Sequence, residues 1–409
     1  MQRLTSRLLR LLSEEYCPLY PVWWIKATED KATLRRWASR CQGRGSWRWL
    51  RRLYVQLLTL TWPLRLLHMI WQTGREYAPA IVQRTGKSRW RQAVEQLCFG
   101  LGHALPPVAY YTYEFYRSER HRWIDHYLHQ YEAAALLPML NRDRHHPAIA
   151  DKAEFARFCA EHSLPTPPLL AHCEAGSCQQ LEVAQQDLFL KPRWGARGEG
   201  AQLWQRLDAN RYQDQCGRIL SGSELLTELA SLSQQQAYLV QPCLTNHPTL
   251  VALSPGALAT ARVVTGRTPS GDVEAIVATF KMAGQPSIIN THGLNSPISL
   301  VSGQLGRAYS YHPICPGYDV HPVTGALITG VTLPDWSQTV GLAQRAHSLI
   351  TEYIFLGWDV AFTPRGPVLL EGNAGWDVVT VQKPQGIGLA QTRFSDICGL
   401  WIQAPPQRE

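Results

Sequence analysis

One stretch near the C-terminus constrains the fold more than any other: Gly357-Trp358-Asp359-Val360-Ala361-Phe362-Thr363-Pro364-Arg365-Gly366-Pro367-Val368-Leu369-Leu370-Glu371-Gly372-Asn373. Two short apolar runs flank a Thr-Pro-Arg-Gly-Pro turn, which predicts a β-hairpin. Side chains alternate faces along a strand, so Glu371 and Asn373 project to one side. Antiparallel pairing through the turn brings Asp359 opposite them. Two carboxylates and an amide converging on one face suit a hard cation that keeps room for waters and phosphates. The same spacing also describes three solvated polar residues at strand ends, so the choice rests on the rest of the chain.

The 409 residues, 45% apolar and 18% charged, are enough for one large core or two to three domains and exclude a disordered chain. The net charge of +8 is unevenly placed. Residues 1–122 hold 21 Lys/Arg against 8 Asp/Glu, which leaves roughly −5 for everything after them. Ten cysteines are scattered without a CxxC pair or His partners at zinc spacing. Cys173 and Cys178 lie closest together, and all ten read as reduced thiols of a cytosolic protein. The first residues carry charges throughout, with no apolar core leading to a cleavage site, so a secretory leader is not expected and a cytoplasmic location is.

Leu4, Leu8, Leu11 and Leu12 share a helical face with Arg3, Arg7 and Arg10 between them. Residues 47–71 again mix Leu and Trp with Arg, and the apolar run 53–71 is interrupted by Pro63, Arg65 and His68. A spanning helix wants about 20 mostly uncharged residues, so a transmembrane segment is disfavoured. Two readings stay open for residues 1–105. One is a helix lying on an anionic membrane, peripheral on its inner face. The other is a helical cap packed on the protein with its arginines in water. Nucleic acid is not expected, because the basic region holds no recognition module.

An aromatic-dense run, Tyr110-Tyr111-Thr112-Tyr113-Glu114-Phe115-Tyr116, leads into a helical stretch ending near Asn141. His145 and His146 follow on a charged break and read as exposed. Asp151-Lys152 opens a helix with Phe155, Phe158 and Cys159 on its apolar side, and Pro165, Pro167 and Pro168 stop it. Leu188-Phe189-Leu190-Lys191-Pro192 then reads as a short buried strand. It runs into Arg193-Trp194-Gly195-Ala196-Arg197-Gly198-Glu199-Gly200 and a second strand at Gln202-Leu203-Trp204. The two familiar phosphate loops open a helix instead. Here three glycines between strands let backbone amides close over phosphates while Lys191 reaches the phosphate chain; inert glycine hairpins share the pattern. The exit of the strand Tyr238-Leu239-Val240-Gln241-Pro242-Cys243-Leu244 can meet an adenine edge. Arg262 and Lys281 sit on two further strands, either solvated or, near Glu371, neutralising phosphate oxygens.

Taken in order, these stretches resemble the ATP-grasp superfamily. More narrowly, Asp151-Lys152 with Phe155, Lys191-Pro192 with the glycine run, Thr260-Ala261-Arg262-Val263-Val264-Thr265 and the terminal hairpin resemble the sugar-transfer-associated ATP-grasp family, related to α-L-glutamate ligases. The resemblance covers about residues 106–400. It implies an α+β chain with the ATP-grasp fold: two α/β lobes clamping ATP, plus the basic helical region outside them. The divisions would be 1–105, a lead-in at 106–180, a glycine-loop lobe at 181–240 and a metal-bearing lobe at 241–409. Carried over by position, Lys152 and Lys191 bind the nucleotide, and Gly195, Arg197, Gly198 and Gly200 cover its phosphates. Gln241, Cys243 and Leu244 form the hinge on adenine. Arg262 and Lys281 serve catalysis at the transferred phosphate, and Asp359, Glu371 and Asn373 hold Mg²⁺. The hinge lacks the acidic residue expected there, and Asn290-Thr291-His292-Gly293 lacks an expected Asp-Asn and paired glycines.

The implied activity is a Mg-ATP-dependent carboxylate–amine ligase working through an acyl phosphate on a small-molecule or glycan-precursor substrate of surface polysaccharide synthesis. A non-catalytic ATP-binding scaffold and a phosphotransferase are the competing classes. Trp376 and Asp377 either face the acceptor or close the hairpin.

Overall fold

The computed structural model describes residues 34–35, 37–38, 48–141, 145–180, 186–195, 198–287 and 293–403. The predicted leucine face at residues 4–12 lies outside them. The N-terminal part is a helical hairpin, α1 (Arg48–Thr85) and α2 (Arg89–His103). Ser88 caps α2 through its hydroxyl, which accepts from the Arg91 N–H. Trp62, Leu66, Met69 and Ile70 form the buried side of α1 and pack on Ala93, Leu97 and Leu101 of α2. The helices approach closely at Gly100, where a Cβ would lie 2.5 Å from Leu66. The Trp62 indole donates to the Gly100 carbonyl across the same gap at 2.8 Å. No helix among the described residues is long and apolar enough to cross a membrane.

The hairpin docks on the aromatic run as a cap. Tyr110, Tyr111, Tyr113, Phe115 and Tyr116, on and after α3 (Pro107–Thr112), are buried with Ile81 of α1 in a core of their own. Helix α4 (Gln130–Leu140) follows. His146 is not the exposed residue expected: its Nδ1 accepts the Ala148 N–H at 3.2 Å and its ring stands edge-on to Phe158. His145 is exposed.

Helix α5 (Lys152–Glu161) leads to a seven-stranded sheet, in the order β2-β1-β7-β3-β4-β5-β6. Its strands are β1 (Ala171–Glu174), β2 (Ser177–Gln180), β3 (Leu188–Pro192), β4 (Gln202–Arg206), β5 (Arg211–Gln213), β6 (Ile219–Ser221) and β7 (Tyr238–Pro242), with α6 (Gly222–Leu232) against it. The reading of all ten cysteines as free thiols is corrected here, because Cys173 and Cys178 form a disulfide. They are direct cross-strand partners, 4.0 Å apart at Cα, across a two-residue turn at Ala175-Gly176. Both turn residues have positive φ, 51° and 82°, the twist that suits a tight hairpin.

The second sheet has the order β10-β9-β8-β11-β12. Its strands are β8 (Thr260–Arg267), β9 (Val273–Met282), β10 (Leu294–Ile298), β11 (Phe355–Thr363) and β12 (Gly366–Asn373). One face carries Ala261, Val263, Ala278, Phe280, Trp358 and Val360 into the largest core, which also holds Trp336, Ala343 and Ala346 of α7 (Trp336–Ser348). The other face divides along its length. Val264, Ile276 and Phe355 pack with Phe394 and Ile397, whereas the end nearer Arg262 and Asp359 is polar. Helix α8 (Val379–Gln385) follows β12, and α9 (Arg393–Gln403) carries Phe394 and Ile397.

Candidate functional site

Strand pairing builds the floor of the site. The hairpin pairs Asp359 with Glu371, and β8 on the other side of β11 pairs Arg262 with Asp359 and with Thr279 of β9. Arg262, Asp359 and Glu371 therefore stand in one row on one face, and Lys281, two residues beyond Thr279, joins them. The Arg262 guanidinium grips the Asp359 carboxylate with two bonds of 2.6 and 2.7 Å, and the Lys281 ammonium lies 3.1 and 3.3 Å from the same oxygens. Burial alone would raise the Asp359 carboxyl. The two cations overturn it and hold the group well below the usual carboxylate range. Burial also pushes the Lys281 ammonium down, with Arg262 adding to the effect and Asp359 opposing it. Gly357 makes room for this packing: a Cβ there would lie 3.0 Å from both Arg262 Cδ and Trp376 Cβ. At the end of β12, the Asn373 amide donates to Glu371 Oε1 at 3.1 Å.

The first sheet carries the glycine loop. Gly195, Gly198 and Gly200 have φ of 114°, 71° and 73°, backbone that L side chains rarely adopt, so the loop needs glycine at each predicted position. Arg197 lies outside the described residues. The Lys152 ammonium donates to the Gly195 carbonyl at 2.7 Å, which ties the first turn of α5 to the loop. Asp151 caps α5 through the Ala153 N–H and also binds Arg193, whose Nε and Nη2 lie 2.8 and 2.7 Å from Asp151 Oδ2. Burial lowers the Lys191 ammonium to about 8, with Glu371 opposing and Lys152 adding to the shift. Lys191 from one sheet thus feels the charge of Glu371 from the other.

Residues 131–398 match the family described as sugar-transfer associated ATP-grasp. The chain belongs to that family. Solved structures that it matches include the L-amino acid ligase of Bacillus licheniformis (12% identity over 59% of this chain and 44% of that one, TM-score 0.30). Others are D-alanyl-alanine synthetase A of Vibrio cholerae (11%, 63% and 66%, 0.35) and D-alanine–D-alanine ligase of Bacillus anthracis complexed with ATP (9%, 63% and 67%, 0.34). The chain thus spans less than half of the first of these proteins and about two thirds of the others. No curated protein sequence matches it.

In this ATP-grasp chain the residues expected to form the hinge are partly committed to the fold. Gln241 is buried, and its side-chain amide donates to the Pro167 carbonyl at 2.9 Å. The Cys243 N–H donates to the Asp187 carbonyl at 2.9 Å, and burial pushes its thiol up, with Asp187 adding. Leu244 follows beyond the end of β7. The loop at residues 290–293 falls mostly among residues 288–292, outside the described ones. Trp376 is 1% exposed and packs on Phe394, so it closes the core behind the hairpin.

The role of Arg193 escaped the sequence reading, and that of Asp377 was left open between facing the acceptor and closing the hairpin. Arg193 anchors the glycine loop; its place directly after Lys191-Pro192 was the available signal. Asp377 accepts the Val379 N–H at 2.8 Å, and burial raises its carboxyl while Arg262 and Lys281 pull it down. Among the described residues no three His, Cys, Asp or Glu side chains gather as a metal site. The donors nearest that role are the carboxylate and amide oxygens of Glu371 and Asn373, with Asp359 beside them, a hard set suited to Mg²⁺.

Proposed function

We propose that this protein is a Mg-ATP-dependent ligase that activates a carboxylate as an acyl phosphate for attack by an amine or a related nucleophile. The observation that carries the reading is the row of charges on the second sheet, where Arg262 and Lys281 grip Asp359 beside Glu371. On the first sheet Lys152 is tied to a loop of three left-handed glycines, and Lys191 lies within reach of the Glu371 charge. Phosphoryl transfer asks a protein chiefly for positioning and for charge neutralisation, and those are what these residues offer. Lys191 and the loop amides would hold the nucleotide's phosphates. Arg262 and Lys281 supply positive charge where the oxygens of the transferred group gather, and Asp359 positions both. Glu371 and Asn373, with Asp359, would hold Mg²⁺, which supplies further neutralisation of the terminal phosphates.

In the first step a carboxylate oxygen attacks the γ-phosphorus and ADP leaves. In the second the nucleophile attacks the acyl carbon, inorganic phosphate leaves, and the nucleophile gives up its proton. The family's association with sugar transfer supports a glycan precursor of surface polysaccharide as one of the two substrates. Calorimetric titration with Mg-ATP tests the nucleotide half of the reading. The wild-type chain should bind, and Lys191→Met should weaken binding by about 10- to 100-fold, the loss of one charge-assisted bond. A wild-type chain that takes up no Mg-ATP, or a Glu371→Ala variant that binds it unchanged, would remove the basis of the proposal.

A further inference from the structure

The helical cap carries a surface that the catalytic cleft does not use. Leu57, Leu60, Leu64, Leu67 and Trp71 of α1 are 53%, 77%, 74%, 53% and 57% exposed. Their spacing of three, four, three and four residues puts all five on one face, a ridge about 21 Å long at 1.5 Å per residue. Isolated exposed leucines need no explanation, but a contiguous apolar ridge does. The opposite side of the helix, Trp62, Leu66, Met69 and Ile70, is already buried against α2, so the ridge is a second, unpartnered face.

The surroundings select the partner. From Lys31 to Arg75 the sequence contains ten Lys and Arg and neither an Asp nor a Glu; Arg35, 2.8 Å from Glu132, and Arg65 are buried and add nothing to the surface. At the C-terminal end of the ridge the Arg75 guanidinium lies 4.9 Å over the Trp71 ring, and His68 stacks on the same ring. A tryptophan beside a cation is the pairing that the headgroup level of a bilayer accommodates. A second copy of the helix fits less well. Thr61, Pro63 and His68 would flank a paired seam, so no opposite charges would meet across it, and the two basic segments would repel. Insertion across the bilayer is excluded for α1 by its apolar content.

We infer that the ridge of α1 is a docking surface for an anionic lipid bilayer. The helix lies in the plane of the interface, with the five apolar side chains inserted and Arg75, beside Trp71, against acidic headgroups. Docking there would hold the cleft at a membrane surface. The inference rests on the ridge and its charge and stands whether or not the ligase reading does.

The test is co-sedimentation of the full chain with vesicles of phosphatidylcholine containing phosphatidylglycerol, and with vesicles of phosphatidylcholine alone. Leu60→Glu/Leu64→Glu is the variant, because both positions are mostly exposed and the fold does not depend on them. The wild type should bind the anionic vesicles, more weakly as salt rises, and at least tenfold more tightly than the neutral ones. The double variant should lose at least tenfold in binding with its melting curve unchanged. Three results overturn the inference: no binding by the wild type, equal binding by the variant, or a wild-type dimer that the variant converts to a monomer without vesicle binding. The third would assign the ridge to a second copy. Binding that appears only after residues 1–33 are deleted would also overturn it, by giving the ridge to the chain's own N-terminus.

Discussion

Replacing Asp359 by asparagine removes one charge and leaves two. Arg262 and Asp359 are each 8% exposed, so the guanidinium has little access to water once its partner is neutral. Breaking a buried pair by removing one member costs about 3–5 kcal/mol, chiefly the desolvation of the charge left behind. Two features of the site favour the lower end. Lys281 is more exposed than Arg262, and Glu371 stays opposite as a second counter-charge. The expected loss is therefore about 3 kcal/mol for Asp359→Asn. Urea unfolding of the full chain, followed by tryptophan fluorescence, measures it. The double variant Arg262→Met/Asp359→Leu should recover much of the loss, since the charge it leaves behind is Lys281, the more exposed of the two cations. A loss below about 1 kcal/mol for Asp359→Asn, or a double variant no more stable than the single one, would refute the view that these groups neutralise one another in a buried site.

Three further outcomes follow from the geometry. Lys191 is charged below about 8 and neutral above it, so Mg-ATP affinity should be full at neutral pH and fall as pH rises through about 8. Lys191→Arg should flatten that profile, and a wild-type profile already flat from pH 7 to 9.5 would count against Lys191 as a phosphate ligand, the pH values being approximate bounds of the assay. Gly357→Ala places a methyl against Arg262 and the buried Trp376, with an expected destabilisation of about 1–3 kcal/mol by overpacking; unfolding within 0.5 kcal/mol of wild type, the approximate noise level for a neutral surface change, would contradict the close approach. Peptide mapping without reductant should recover Cys173 and Cys178 linked, and alkylation of both in the unreduced protein would contradict the pairing.

The parts of the site legible in the sequence were those fixed by local rules. The turn at residues 363–366 sets the register of its own hairpin as far as Val360 and Leu369, so that much could be read directly, whereas Asp359 meets Glu371 through a bulge between Asp359 and Val360 that the turn does not fix. Glycine's hold on positive φ made the loop at residues 195–200 recognisable for the same reason. The grip of Arg262 on Asp359 was hidden, because it depends on pairing between strands 97 residues apart. Sequence order shows both residues and leaves their register open. The Cys173–Cys178 link was missed although it is local: Ala175 takes a left-handed turn position usually held by Asn or Gly, so nothing announced the hairpin. Trp376 could be assigned to the core only once α9 was seen to bring Phe394 against it.

The proposed ligase turns ATP and a carboxylate into an acyl phosphate. Phosphorus NMR of reactions containing the protein, Mg-ATP and a panel of carboxylate and amine acceptors tests it most directly. The account predicts acceptor-dependent release of ADP and inorganic phosphate in equal amounts, slowed about 10²- to 10³-fold in Glu371→Gln, the scale of losing one group that stabilises transition-state charge. A stable phosphorylated acceptor without free phosphate would make the protein a phosphotransferase. ATP binding with no turnover for any acceptor, or turnover indifferent to Glu371→Gln, would contradict the ligase account.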